Sequence, residues 1–223
     1  ARLPFSLTEA QRRSAWEILQ DFERDVPMNR LLQGDVGSGK TVVATMAAYQ
    51  AALDGYQSAV MVPTEVLAAQ HFATMTKLLS STNVKIGLLT GAIKGKARRE
   101  LLDRIAEGEI QLVIGTHALF QPAVQFHRLG FVVIDEQHRF GVKQRQDLLA
   151  KTNDQYLPHL LAMTATPIPR SLQLTVFGDL DISTLDQLPY GRRQIKTKIV
   201  SPNQRAAMVE AIKQELEANH QVY

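Results

Sequence analysis

Apolar residues along the chain gather in short, nearly unbroken runs: Leu31-Leu32, Ala59-Val60-Met61-Val62, Ile86 to Leu89, Leu112-Val113-Ile114, Phe131-Val132-Val133-Ile134 and Leu160-Leu161-Ala162-Met163. A strand buried on both faces has this pattern, whereas a half-solvated strand alternates, so the runs predict parallel strands covered on both sides. Between them the apolar spacing becomes helical over Ala10 to Phe22, Thr41 to Leu53, Leu67 to Leu78 and Ala97 to Ala106. Strand and helix alternate, which predicts an α/β fold with an open, mainly parallel sheet and helices on both faces. In such sheets the loops at the carboxyl ends of the strands converge to form the site. The polar and glycine clusters all follow the apolar runs: Gly34 to Thr41, Pro63-Thr64-Glu65, Thr90-Gly91, Gly115-Thr116-His117, Asp135-Glu136-Gln137-His138 and Thr164-Ala165-Thr166.

Past Leu185 the texture changes. Leu188-Pro189-Tyr190-Gly191-Arg192-Arg193 reads as a linker, which places a domain over 1–188 and the start of another over 189–223. Alternation through Ile195, Thr197 and Ile199 leads to Ser201-Pro202-Asn203-Gln204, a predicted helix start with Ser201 as N-cap, Pro202 in the first turn and Gln204 closing a capping box. That helix is expected to run to Asn219 with Met208, Val209, Ile212 and Leu216 as its apolar stripe. The chain opens at Ala1 and stops at His220-Gln221-Val222-Tyr223, where an apolar strand is just starting, so the expectation is a segment of a longer protein. Trp16 and the scattered Met and Phe residues are expected in the core.

Composition narrows the classes. With 223 residues, 45% of them hydrophobic, the chain can bury a full core. No run approaches the roughly 20 apolar residues that span a bilayer, and Ala1 to Ser6 lacks a signal-peptide pattern, so a cytosolic protein is expected. Cysteine is absent, which excludes disulfides and cysteine-based zinc sites. A net charge of +3 permits a nucleic-acid partner without selecting one.

Gly34-Asp35-Val36-Gly37-Ser38-Gly39-Lys40-Thr41 fits G-x-x-x-x-G-K-[ST] in full, between a predicted strand and a predicted helix. Glycines let backbone N–H groups curl around phosphate oxygens while the positive end of the helix dipole faces the same anion. Lys40 is expected to reach the β- and γ-phosphates of ATP, and the Thr41 hydroxyl to ligate Mg²⁺. Asp135-Glu136 ends another apolar run, where a second acidic element belongs. Asp135 is the candidate Mg²⁺ holder and Glu136 the candidate general base for the attacking water.

Further residues carry a resemblance. Asp135-Glu136-Gln137-His138 resembles the D-E-x-H signature of superfamily two helicases, and Met163-Thr164-Ala165-Thr166 their S/T-A-T element. Pro63-Thr64-Glu65-Val66-Leu67-Ala68-Ala69-Gln70 resembles the P-T-x-x-L-x-x-Q element, and Gly115-Thr116-His117 the G-T-x element. The resemblance covers about the whole chain. It implies a RecA-like P-loop sheet forming the first helicase lobe. It further implies that Gln137, His138, Thr164 and Thr166 couple the nucleotide to DNA, and that Pro63, Thr64, Gly91, Thr116 and His117 lie on the DNA backbone. Hydroxyls and exposed N–H groups at helix starts can bind phosphate oxygens without reading sequence. Thr64 and Thr116 could equally be helix caps. Phe5-Ser6-Leu7-Thr8-Glu9-Ala10-Gln11 resembles the adenine-recognition element, with Gln11 as reader and Phe5 packing on the base, although Thr8 and Gln11 also fit a capping box.

Asp135 through Val142 and Thr164-Ala165-Thr166-Pro167-Ile168-Pro169-Arg170 place the chain nearest the group acting on branched DNA in recombination and repair. Transcription-repair coupling translocases are its neighbours, and Gln137 and Ser38 favour the branched-DNA group. The resemblance implies a second lobe with an arginine finger and an amino-terminal wedge, neither of which this sequence contains. Two other readings stand beside it: a nucleotide-binding module with little activity of its own, and an ATPase unrelated to nucleic acid. The basic stretch Lys94, Lys96, Arg98 and Arg99 is either a solvated face or a DNA-phosphate contact.

Overall fold

The computed structural model describes residues 3, 5–136, 157–166, 180–187, 197 and 199–222. Gln137, His138, Pro167 to Arg170, Pro189, Ile195 and the basic residues Lys143, Arg145, Arg192, Arg193, Lys196 and Lys198 lie outside the described residues. The chain divides into a unit over Ala1–Tyr190 and another over Gly191–Tyr223.

The first unit is built on a seven-stranded sheet. Its strands are β1 (Asn29–Gly34), β2 (Gln57–Met61), β3 (Ile86–Leu89), β4 (Leu112–Gly115), β5 (Leu129–Asp135), β6 (His159–Thr164) and β7 (Asp181–Leu185), in the order β3-β4-β2-β5-β6-β1-β7. Every adjacent pair is parallel. Among the described residues its helices are α1 (Glu9–Phe22), α2 (Lys40–Leu53), α3 (Glu65–Leu78) and α4 (Gly95–Ala106), with a 3₁₀ turn over His117–Phe120.

The unbroken apolar runs have a direct physical cause. Successive strand residues point to opposite faces, and both faces are covered. Val60, Ile114, Val133 and Leu161 pack with Ile18 of α1, Val43 and Ala47 of α2 and Met75 of α3. Their neighbours Ala59, Val113 and Val132 pack on the other side with Ile105 of α4, Leu119 and Phe126. Each large side chain fully buried in this way stabilises the fold by about 1.5–3 kcal/mol.

At the amino end of the sheet, polar groups are tied together. The Gln57 amide donates to the carbonyls of Ile105 (2.9 Å) and Ile110 (2.7 Å), and its oxygen accepts from the N–H groups of His127 (2.7 Å) and Arg128 (3.1 Å). Arg30, buried at the start of β1, donates to Asp21 at 2.7 Å and to the Ser183 hydroxyl at 3.0 Å, with Glu17 3.7 Å away. These contacts bind α1, β1 and β7 to one another.

The predicted runs and helices each fall on an observed element. Three expectations are corrected. Trp16 is 63% exposed on α1 and not in the core. Strand β7, with Ile182 and Leu185 separated by polar residues, was not anticipated; it is an edge strand whose buried Ser183 satisfies Arg30. Ser201 does not cap a helix with its side chain. Its hydroxyl meets the Gln204 side chain at 3.4 Å, and a 3₁₀ turn over Pro202–Gln204 precedes α5 (Arg205–Glu217). The Gln204 N–H turns back to the Ser201 carbonyl at 2.9 Å, closing a tighter turn than a capping box requires. In this second unit α5 buries none of its residues, and it stops short of Asn219, which takes the left-handed conformation (φ 62°) that ends helices.

Candidate functional site

Strand β1 delivers the glycine-rich loop. A side chain at Gly34 would come within 2.7 Å of the Ser38 hydroxyl and 2.8 Å of Leu185, so only glycine lets β1 lie this close to β7 and to its own loop. Gly37 (φ 78°) and Gly39 (φ 97°) are left-handed, which glycine alone adopts without strain. Gly39 occupies the N-cap of α2 and offers no side-chain cap, so the start of the helix keeps its anion-binding character. Asp35 and Val36 form the crest of the loop, and Thr41 sits half-buried in the first turn of α2. The Ser38 hydroxyl is buried with no partner.

The Lys40 ammonium folds back over this loop and donates to the carbonyls of Gly34 (2.6 Å) and Asp35 (3.0 Å). Burial lowers its pKa from the ordinary lysine value, while Asp135, Glu136 and Asp35 oppose that shift with their negative charge. Lys40, the first residue of α2, thus feels the negative charge of the carboxylates at the end of β5, although β6 separates that strand from β1.

Gln11 forms the capping box that the sequence offered and makes a second contact that the sequence did not indicate. Its oxygen accepts from the Thr8 N–H at 2.9 Å while its own N–H donates to the Thr8 hydroxyl at 3.2 Å, completing the capping box of α1. Its amide nitrogen also donates to the Ser38 carbonyl at 2.8 Å and packs directly against Gly39. Phe5, 45% exposed, shares with Thr8, Gln11, Gly37, Gly39 and Val42 the lining of an open hollow of about 1070 Å³ beside the loop. A second hollow of about 320 Å³ lies at the amino end of the sheet, against Phe22, Tyr56 and His159.

Asp135 is held at both oxygens. Oδ1 accepts from the Glu136 N–H at 3.1 Å, and Oδ2 lies 2.9 Å from Nε2 of His71 on α3. Glu136 is left-handed (φ 54°), a conformation costing a non-glycine residue about 1–3 kcal/mol and one that concentrates at functional sites. Thr164 lies between the two halves: Gln33 pairs with it on one side, while its neighbour Met163 pairs with Asp135 on the other. Its hydroxyl accepts from the Thr166 N–H at 3.2 Å and lies 2.9 Å from the Thr166 hydroxyl, forming a compact turn.

The remaining loops line up along the same edge, because Met61 pairs with both Gly115 and Ile134 and Leu89 with Gly115. Pro63 is half-buried, and Thr64 caps α3 by accepting from the Leu67 N–H at 3.3 Å. Glu65 accepts from the Ala92 N–H at 3.2 Å, beside Gly91, and so joins two of the loops. Thr116 differs from Thr64: it makes no side-chain cap, and its hydroxyl is buried without a partner. His117 is exposed at the start of the 3₁₀ turn. Of the basic stretch, Lys96 faces Glu100 at 3.6 Å and Arg98 donates to Gln121 at 2.6 Å.

His71 was absent from the sequence-level site. Its signal was a polar residue on the apolar face of α3, between Ala68 and Met75. Nothing in the sequence alone paired it with Asp135.

A parallel α/β sheet, a glycine loop before an uncapped helix and a carboxylate pair two strands away have the layout of a phosphate-binding P-loop lobe. The chain belongs to the DEAD/DEAH box helicase family, which matches it over residues 8–175. Within that family it is 50% identical to the ATP-dependent DNA helicase RecG of Aquifex aeolicus (strain VF5), across 100% of this chain and 28% of the relative. It is 51% identical to the RecG of Bacillus subtilis (strain 168), across 99% of this chain and 32% of the relative. A structure of RecG bound to a three-way DNA junction superposes with a TM-score of 0.86 at 43% identity, covering 97% of this chain and 28% of that one. Mss116p bound to single-stranded RNA and AMP-PNP shares the fold, with a TM-score of 0.69 at 19% identity over 96% of this chain and 48% of that one. The chain thus spans under a third of the RecG relatives' length.

Proposed function

We propose that the chain is the first motor lobe of an ATP-dependent helicase or translocase that moves branched DNA in recombination and repair. The observation that carries this reading is the loop after β1 that only glycine can form, with Lys40 folded onto it, beside the Asp135-Glu136 pair that ends β5 at the same edge of the sheet. Backbone N–H groups of Gly37, Ser38 and Gly39 cradle phosphates, and Lys40 exchanges its carbonyl partners for the β- and γ-phosphates. Gln11, already on the loop, and Phe5 contact the adenine.

Among the described residues, no group of three or more His, Asp or Glu forms a metal cage. That suits Mg²⁺, which takes one or two protein oxygens and completes its shell with phosphate and water. Thr41 and Asp135 would hold it, and when bound it neutralises phosphate charge. Glu136 orients and deprotonates the attacking water. Gln137, His138, Thr164 and Thr166 link this chemistry to DNA, whose backbone lies on Pro63, Thr64, Gly91, Thr116 and His117.

Residues 189–223 open a second lobe, which with a wedge domain completes the motor in the longer polypeptide. Alone, this chain binds nucleotide and hydrolyses it feebly. It works in the cytoplasm; among the described residues no helix is long and apolar enough to cross a membrane.

The test is Mg·ATP binding by Lys40→Ala. Losing charge-assisted hydrogen bonds worth about 1.5–3 kcal/mol lowers affinity roughly ten- to a hundredfold. Unchanged affinity in an equilibrium titration would refute the phosphate-site assignment. Salt-dependent binding to forked DNA, weakened by Thr64→Ala, separates a DNA motor from an unrelated ATPase.

A further inference from the structure

The contact between His71 and Asp135 belongs to none of the sequence motifs. The two side chains are 8% and 13% exposed, and Nε2 lies 2.9 Å from Oδ2. An ionised carboxylate only accepts, so Nε2 is the nitrogen that donates to Asp135. Nδ1 is buried with no partner. Ala68 and Met75 flank His71 on the buried face of α3, and a leucine there would leave no orphaned nitrogen. The polar interaction this imidazole makes is with Asp135. With Oδ1 held by the Glu136 N–H and Oδ2 by the ring, the carboxylate keeps a fixed orientation.

His71 also has a mechanical position. It lies two helical turns past Thr64, about 10 Å along a rigid helix. The first turn of that helix carries the Thr64 cap and the Glu65 contact to the Ala92 N–H. The loops read as facing DNA and the carboxylate read as holding Mg²⁺ are thus attached to one element, at its first turn and at its middle.

We propose that His71 is a positioning residue that fixes Asp135 for Mg²⁺ and ties that carboxylate to the helix beginning at the Thr64 loop. This rests on Asp135 being a Mg²⁺ ligand. Hydrogen-bond partners of metal-holding side chains typically change metal affinity 10- to 100-fold when removed.

The experiment titrates Mg²⁺ into the protein with a fluorescent ATP analogue and repeats the nucleotide titration in EDTA. His71→Leu is expected to raise the half-saturating Mg²⁺ concentration about tenfold and leave affinity in EDTA at the wild-type value. His71→Gln, whose amide nitrogen reaches the place of Nε2, recovers most of the loss. His71→Asn, whose shorter amide does not, behaves like leucine and supplies the comparison if the leucine variant does not fold. Asp135→Asn is the control and loses most of the Mg²⁺ dependence. A wild-type Mg²⁺ midpoint in His71→Leu or His71→Asn beside an impaired Asp135→Asn overturns the role of His71 alone. An equal loss with and without Mg²⁺ assigns His71 to packing and also overturns it. A wild-type midpoint in Asp135→Asn overturns the Mg²⁺ reading itself.

Discussion

The two ends of the sheet treat polar groups in opposite ways. At the amino end, Gln57 makes hydrogen bonds through both halves of its amide and Arg30 is surrounded by Asp21, Ser183 and Glu17. At the carboxyl end, the Ser38 and Thr116 hydroxyls are buried without partners, Glu136 is held in a strained conformation and Lys40 rests on backbone carbonyls. Ser58, near the start of β2, and Oδ1 of Asp21, which has an ion pair with Arg24 but no hydrogen bond, are exceptions at that end. Buried polar groups normally find partners, and those that do not mark strain or a place where another molecule will supply the bond. One end therefore holds the fold, and the other keeps bonding capacity in reserve.

The contrast can be broken most severely at Asp21. Asp21→Ala removes the carboxylate nearest to buried Arg30 and should destabilise the protein by about 3–5 kcal/mol, as loss of one partner from a buried ion pair does. Urea unfolding would measure this. Nucleotide affinity of the folded fraction should stay at the wild-type value, and a comparable loss of affinity would erase the distinction between the ends.

Gln11→Ala is the reverse case. It removes half of a capping box, worth about 1 kcal/mol of stability. It also frees the Ser38 carbonyl, so nucleotide affinity should fall by more than that stability change implies. Equal behaviour of binding and stability would reduce Gln11 to a cap.

The smallest effect concerns His159 at the start of β6. Burial lowers its pKa below the ordinary 6.5, with the nearby Asp21 charge opposing the shift. Its Nδ1 accepts from the Met28 N–H at 3.0 Å, a bond that protonation destroys. The unfolded chain takes up this proton first as pH falls. The contribution of His159 is thus complete above pH 6.5 and is lost on acidification through the depressed value. His159→Asn keeps an acceptor without a titration and should flatten that part of the pH dependence of thermal stability.

What the sequence made legible follows the same division. Covered parallel strands leave unbroken apolar runs, and a phosphate loop needs glycines at fixed spacing, so β1 to β6 and the Gly34–Thr41 loop were readable. Strand β7 escaped because an edge strand contributes only Leu185 to the core, with Ile182 half-buried and polar residues between them. Trp16 was misplaced because residue type alone does not fix which face of α1 turns outward. Gln57, Arg30 and His71 were invisible for a different reason. Their partners lie on other elements, and a polar residue at a buried position declares that it has a partner without saying which.

The placement of β1 also bears on how the lobe is made. Met28, just before β1, meets His159 from 131 residues further on, and Arg30 meets Ser183 from 153 residues further on. Both sheet neighbours of β1 come from that distant stretch. At roughly 5–20 residues per second of synthesis, β1 waits on the order of ten seconds or more on the ribosome before either flank exists. Strands β2 to β5, which pair among themselves, can assemble in that interval. The glycine loop is among the first parts of the lobe to be translated and one of the last that can close. A truncated product ending before β6 would lack both neighbours of β1, and with them the support that shapes the loop.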